Sequence, residues 1–255
     1  NNQDRVMKKD LVIPIGKTAV WNEELKYILR SWDKNFEDLG NVFLVGERTW
    51  IKGKYPWLQD VVIVDCNDPF TQNKDANIIR KVIKAIDTQK LSDPFIRTSD
   101  DQYLLKKVDN FKPVYSFDLK DKEIRWWNRT SRWKNRLKNT FRTLQRRQKT
   151  TFNYDVHFPL EVRHDFKTII GRYYYNNSTG YTINTLYFNN ALRRHKKMEK
   201  IRVYIDRPMK EAQIRKEIKD MTFLTYSNKD NDRALNAELR KIIKNKFRAK
   251  SKFEK

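Results

Sequence analysis

Apolar positions in the first hundred residues fall into short continuous runs, separated by segments with helical spacing. Leu11–Gly16 (LVIPIG) reads as a buried strand running into a Pro-x-Gly loop. Over 22–36, Leu25, Ile28, Leu29 and Trp32 recur three and four residues apart. That spacing predicts a helix, with Asn22 as its N-cap and Glu23 and Glu24 in its first turn. NVFLVG at 41–46 and DVVIVD at 60–65 predict a second and a third strand. Ile78, Ile79, Val82, Ile83 and Ile86 mark an amphipathic helix over 75–87. FIRTS at 95–99 predicts a fourth strand, and Asp100-Asp101 follow at once. The order is strand, helix, strand, strand, helix, strand. Short strands that are apolar throughout belong in a sheet covered on both faces. Such a sheet binds ligands at the carboxyl ends of its strands. Three strands end there in Pro14-Ile15-Gly16-Lys17, Gly46-Glu47-Arg48 and Ser99-Asp100-Asp101.

Beyond Pro113 the pattern changes. VYSFDL at 114–119 reads as a strand. Lys120–Lys149 carries twelve Lys and Arg against two acids, with Trp126 and Trp127 near its start. Trp133, Leu137, Phe141 and Leu144 have helical spacing, so this is a basic amphipathic helix. Residues 152–159 (FNYDVHFP) read as extended and aromatic, and 173–190 mix aromatics with Asn and Thr. Leu239–Lys255 has eight Lys and Arg against one acid, and is expected to begin as a helix and fray into a disordered arm. The chain divides into an α/β core (1–119), a basic helix with the elements that complete that domain (120–200), and a basic helical extension (201–255).

Composition narrows the choice of partner. The 255 residues are 38% hydrophobic and 13% aromatic, enough for a real core and against general disorder. Six Gly and seven Pro are too few for an all-β fold rich in tight turns. The net charge of +23, from 55 Lys and Arg against 32 Asp and Glu, sets up a field that attracts polyanions. Nucleic acid comes first, then an anionic membrane surface, then a phosphate-bearing substrate; a merely solvated basic surface is the fourth reading. Cys66 is the single cysteine, which excludes an intramolecular disulfide and suits a reducing cytoplasm. No run approaches the roughly 18 apolar residues of a membrane span. NNQDRVMKKD lacks the apolar core of a secretory signal. A cytoplasmic protein without a transmembrane segment is expected.

Three constellations carry chemistry. Asp100 and Asp101, adjacent at a strand end, repel one another and call for a cation. Mg²⁺ or Mn²⁺ bridging a substrate diphosphate supplies one; an acidic turn capping a helix over Gln102–Lys107 is the competing reading. Asp155 and His157 lie two apart in an extended segment, so both point to one face. There, one serves as general base to an acceptor hydroxyl, or His157 completes a metal shell; the alternative is a local hydrogen bond before Pro159. On the basic helix the apolar stripe faces the core and leaves Arg132, Lys138, Arg142, Arg146, Arg147 and Lys149 for a polyanion, with duplex DNA expected. His164 and His195 sit among charges and read as surface positions.

One resemblance sharpens these readings. WNEELKYILRSW at 21–32, NVFLVG at 41–46, Pro56-Trp57-Leu58 and TSDDQY at 98–103 resemble the core of Stealth-type capsular polysaccharide transferases and of phage glycosyltransferases of the GT-A type. It covers roughly 10–120 well and 150–190 loosely. Ile28 stands where that helix usually has Ser, Thr98-Ser99 replace an aromatic-Asn pair, and Ile13-Pro14-Ile15-Gly16 replaces the leading Stealth signature. These departures favour a plain glycosyltransferase over a sugar-phosphate transferase. The resemblance implies a GT-A-like, Rossmann-type nucleotide-sugar-binding sheet with a basic helical extension. It places the metal and donor diphosphate at Asp100 and Asp101, with Pro14, Gly16, Lys17, Arg30 and Ser99 near the donor, a uridine diphosphate sugar being favoured. For Glu24 and Arg30 a structural salt bridge is the stronger reading. The implied reaction moves a sugar to a hydroxyl. Charge favours a hydroxymethylated base in phage DNA as acceptor. Capsular or cell-surface polysaccharide remains an alternative, as does a non-catalytic nucleic-acid-binding protein.

Overall fold

A computed structural model describes residues 8–17, 23–123, 127, 131–199, 210–225 and 233–255. Its main sheet has five strands in the order β3-β2-β1-β4-β6. β1 (Lys9–Pro14) is central. β2 (Leu39–Gly46) and β4 (Phe95–Arg97) flank it, both parallel, with Ile13 opposite Leu44 and Val12 opposite Arg97. β3 (Val62–Asp65) extends the β2 side in parallel, and β6 (Leu160–Val162) closes the other edge antiparallel to β4. This is a mixed α/β fold with a mainly parallel sheet, as the apolar runs predict. Leu11, Val12, Ile13, Val42, Leu44 and Val45 are all fully buried, which requires cover on both faces.

Helices α1 (Glu24–Asn35), α2 (Arg48–Lys54) and α3 (Lys74–Thr88) follow β1, β2 and β3 in turn. Asn22, expected to cap α1, lies outside the described residues; Glu23 occupies the N-cap with no side-chain cap bond. α3 starts on a real cap, where Asn73 Oδ1 accepts from the Ala76 amide at 3.0 Å. The sequence pattern passes over α2, because only Ile51 of its seven residues is buried and no periodicity can show.

Residues 102–107 do not form the helix weighed as an alternative. Gln102–Leu104 is strand β5, paired antiparallel with β7 (Phe223–Thr225) in a second small sheet packed against α1. Polar groups of α1 hold it extended: Ser31 Oγ accepts from the Leu104 amide at 3.0 Å, and Asn35 Nδ2 donates to the Leu104 carbonyl at 2.6 Å. The expected strand over 114–119 is reduced to isolated bridges at Tyr115 and Asp118, followed by a 3₁₀ turn at Leu119–Asp121.

The basic helix forms as predicted. α4 (Arg132–Arg146) is capped by Ser131 Oγ on the Lys134 amide at 3.1 Å and buries Leu137, Thr140 and Leu144. Trp127 stacks on Phe141 with centroids 5.4 Å apart; Trp126 lies outside the described residues. After α5 (Phe166–Ile170), α6 (Ile183–Ala191) is buried along most of its length and packs against α4 and α5. Helices α7 (Glu211–Asp220) and α8 (Arg233–Lys246) complete the chain. The expected fraying arm is corrected here. Phe247, Ser251, Phe253 and Glu254 are buried, and the Gln59 and Lys255 amides donate to the carbonyls of Phe253 and Trp57 at 3.0 Å each. Charge composition suggested disorder, but two buried Phe rings and a strand-like zipper order this segment. No helix among the described residues is long and apolar enough to cross a membrane.

Candidate active site

The strand order reverses at β1: the chain builds β2 and β3 on one side, then crosses back through α3 to β4 on the other. Such a switch point opens a crevice at the carboxyl ends of the two strands. A cleft of about 550 Å³ lies there. Pro14, Gly16 and Lys17 line it beyond β1, Asp100 lines it beyond β4, and Lys74 and Lys81 line it from α3. Three residues expected near a donor thus meet one of the expected metal carboxylates.

Two features keep the cleft floor in shape. Lys81 is only 3% exposed; its Nζ donates to the Ile15 carbonyl at 2.6 Å and pairs with Asp68 Oδ1 at 2.6 Å. Gly46 lets the neighbouring strand approach, since a Cβ there would lie 2.6 Å from the Ile15 carbonyl oxygen. Lys17 pairs with Glu47 at 2.6 Å, but both side chains are largely exposed, so the pair is weak and Lys17 can turn to a phosphate.

The acidic wall is larger than the sequence showed. Gln102 Oε1 accepts from Thr98 Oγ1 at 2.9 Å and from the Ser99 amide at 3.1 Å, pinning the turn that carries Asp100 and Asp101. Asp101 Oδ1 is buried with no hydrogen-bond partner, and so is Glu24 Oε1 from the first turn of α1. Burial first, then the charge of Asp100, pushes the Asp101 carboxyl up to about 7, against a hydrogen bond from Ser99. Burial, then Asp100 and Asp101, pushes Glu24 up to about 9, with Arg240 acting the other way. Burial also raises Asp100, while Lys81 and Lys74 draw it down. Tyr55, at the end of α2, is raised by burial and by the fields of Asp100 and Glu24. Glu24 therefore faces the Asp pair; the structural ion pair expected of it is not what its Oε1 makes. Nothing local in the sequence marks it, because the contact is made only when α1 meets the β4 turn.

Ser99 is beside the Asp pair as expected. Arg30 is elsewhere: its Nε and Nη2 donate to Glu254 Oε1 and Oε2 at 2.7 Å each, and Nη1 donates to the Phe247 carbonyl at 3.0 Å. It holds the C-terminal segment and is not a donor contact. Among the described residues no group of three or more His, Cys, Asp or Glu converges to hold a metal. The Asp pair does fit one cation: it offers a buried carboxylate oxygen without a partner and carries repulsion that a cation relieves.

Asp155 and His157 separate. Asp155 Oδ2 accepts from Trp133 Nε1 at 2.5 Å, in a half-buried cluster with Arg97, Asp75 and Arg136. Arg136 pairs with Asp75 at 2.5 Å, and Arg97 donates to Asn184 Oδ1. His157 has a φ of 56°, which breaks the alternation of an extended strand, and its carbonyl accepts from Thr225 Oγ1 at 2.5 Å. Neither residue lines the cleft. Two histidines read as surface positions are half-buried. His195 Nδ1 lies 2.7 Å from Tyr154 Oη, and burial lowers its pKa. His164 packs on Phe95, and its Nε2 is buried without a hydrogen-bond partner.

Of the six cations expected on a nucleic acid, Arg132, Lys138 and Arg142 line one groove of about 610 Å³. Arg146 and Lys149 are exposed. Arg147 donates to the Arg172 carbonyl at 3.0 Å and lies 4.3 Å from the Tyr173 ring.

No family model matches the sequence, and no curated protein matches it. Among solved structures, the chain is similar to the crystal structure of the glycosyltransferase GlyE from Streptococcus pneumoniae TIGR4. The TM-score is 0.44 at 9% identity, over 94% of this chain and 62% of that one. The chain thus spans less than two thirds of that protein. At this level no activity or residue role carries over, and the α/β assignment rests on the strand order itself.

Proposed function

We propose that this protein is a GT-A-like glycosyltransferase that moves a sugar from a nucleoside-diphosphate donor to a hydroxyl. The observation that carries the reading is the cleft at the β1–β4 switch point. Asp100 lines it beside Asp101, whose Oδ1 is buried without a partner, and Lys17, Lys74 and Lys81 line it together with Asp68. Carboxylate and ammonium groups around one cleft suit a diphosphate together with its counter-ion.

In this reading Asp100 and Asp101 would hold Mg²⁺ or Mn²⁺, which would supply charge neutralisation to the departing diphosphate. Ser99 orients Asp101. Pro14 and Gly16 shape the nucleotide side, and Lys17 exchanges Glu47 for a donor phosphate. Lys81 keeps the floor open through Ile15. Asp155 and His157, which do not line the cleft, have no direct part in this reading; Asp155 holds α4 in place through Trp133.

The proposed acceptor is duplex DNA bearing hydroxymethylated bases, as in a phage genome. The net charge of +23 and the cations of α4 support it. A base reached within a duplex has to be exposed first, by flipping. A donor screen with Mn²⁺ or Mg²⁺, using hydroxymethylated and ordinary DNA as acceptors, tests the whole reading. Metal-dependent transfer to the modified DNA alone supports it. Transfer that survives Asp100→Asn combined with Asp101→Asn removes the metal site from it.

A further inference from the structure

Positions 132, 135, 139 and 142 fall three, four and three residues apart on α4 and make one stripe along the helix. Leu137, Thr140 and Leu144 take the opposite side into the core. The stripe, with Lys138 beside it, lines the 610 Å³ groove, whose far walls are Gln72 and the Ser178-Thr179 turn. Three cations and several amide or hydroxyl groups face this space, and no carboxylate is among its described lining residues.

The groove is pre-built. Gly180, with a φ of 74°, ends the turn; its amide donates to Asn177 Oδ1 at 2.8 Å and its carbonyl accepts from Asn139 Nδ2 at 2.8 Å. Asn73 Nδ2 donates to the carbonyls of Tyr175 and Asn177, at 3.0 and 2.6 Å. Arg132 donates to the Gln72 carbonyl. The groove is also next door to the donor cleft. Thr71 lines the cleft and Gln72 lines the groove; consecutive Cα atoms stand about 3.8 Å apart. Lys74 then faces the cleft, while Asp75 anchors α4 through Arg136. Residues 71–75 are a thin partition between the two cavities.

We infer that this groove seats a backbone phosphodiester of a nucleic-acid acceptor, with Arg132, Lys138 and Arg142 as its cationic contacts. This fixes the acceptor beside the partition, so that a neighbouring hydroxyl meets the donor across residues 71–75. The presentation of a hydroxyl rests on the transferase reading; the phosphate seat does not. Arginines supply paired donors to phosphate oxygens and lysine a point charge. A concave site with fixed amides selects a phosphate at one register, which a diffuse basic surface does not.

The test measures binding of the full chain to a short hydroxymethylcytosine duplex across a salt series, with a poly(glycerol phosphate) chain as second probe. Lys138→Gln with Arg142→Gln is compared with Lys112→Gln and Lys216→Gln, two exposed lysines outside the groove. Each phosphate contact on B-DNA contributes about 0.9 to the log–log salt slope, so the groove pair is expected to lower the slope by about 1.8 and to weaken binding at least about tenfold. The control pair is expected to cost less than about twofold. The charge-keeping swap Lys138→Arg with Arg142→Lys is expected to recover most of the affinity, which separates lost charge from lost folding. Equal weakening by the two glutamine pairs, or binding of poly(glycerol phosphate) with none of the duplex, would overturn the inference. Donor hydrolysis without acceptor is followed in the same samples. Groove-dependent DNA binding with no donor hydrolysis by the unmodified chain leaves the phosphate seat standing and removes the transferase reading.

Discussion

Arg30 on α1 clasps Glu254 near the last residue through two hydrogen bonds of 2.7 Å, joining positions 224 residues apart. Both side chains are nearly buried, at 10% and 2% exposure. Removing one member leaves the other charge buried and unpaired. Arg30→Ala is therefore expected to destabilise the fold by about 3 kcal/mol, read as a fall in Tm of about 6–12 °C, with the salt dependence of DNA binding unchanged.

The same pair sets an acid limb. Burial alone would raise the Glu254 carboxyl, but hydrogen bonds from Arg30 and Ser251 outweigh it and hold the pKa below its ordinary value. A depressed carboxyl contributes stability that is complete above the unfolded value, about 4.3, and is lost as pH falls through the folded value. Between neutral pH and pH about 3 the Tm of the unmodified chain is expected to fall more than that of Glu254→Gln. Parallel melting curves for the two proteins would show that Glu254 does not carry this term.

Glu24 predicts the opposite sign. Its pKa is raised to about 9, so the folded state holds a proton that the unfolded chain releases. Stability from this group is full below about pH 4.3 and drains away as pH rises towards 9. In metal-free buffer, Glu24→Gln should flatten the alkaline decline of Tm between pH 6 and 9, whereas an unchanged profile would place Glu24 in contact with solvent.

Replacing both aspartates tests the cleft without breaking the fold. Asp100→Asn with Asp101→Asn relieves repulsion between buried groups, so Tm without metal is expected to hold or rise. Mn²⁺ is expected to raise the Tm of the unmodified chain and not that of the variant, which should also lose at least about 100-fold of metal-dependent donor hydrolysis. A variant that melts normally and keeps the Mn²⁺ effect places the cation elsewhere.

Lys81 is the residue on which the shape of the cleft depends. Lys81→Met strands Asp68 and the Ile15 carbonyl, and should cost about 3 kcal/mol and at least about tenfold in donor affinity, measured by calorimetric titration with a uridine diphosphate sugar. A loss of stability with unchanged donor affinity would confine Lys81 to the fold.

The four parallel strands were legible because they are unbroken apolar runs, while the edge strand Leu160–Val162, with Glu161 at its centre, was not; α3 and α4 were legible because their apolar residues repeat at helical spacing. Segment 48–54 was not, since one buried Ile51 makes no period. The order of the C-terminal segment was hidden by its charge; what fixes it is Phe253 packing and the clasp by Arg30, both long-range. The Asp100-Asp101 pair announced itself by position at a strand end. Glu24 and Lys81 did not, because each is an ordinary helix residue until tertiary packing turns it towards Asp101 or Ile15. Asp155 and His157 were read as a pair from an alternation that the φ of His157 interrupts.

Asn73 caps α3 with its oxygen and holds the 175–177 backbone with its nitrogen. One amide thus ties the start of the donor-side helix to the turn that walls the basic groove. A ligand that shifts the 71–75 partition from either side does work on the other cavity. By thermodynamic linkage, any factor by which a bound donor alters affinity for the anionic acceptor must equal the factor by which that acceptor alters affinity for the donor. On the proposed reading, the partition sets the size of the coupling between the two cavities, and Asn73 is the position at which that coupling can be removed.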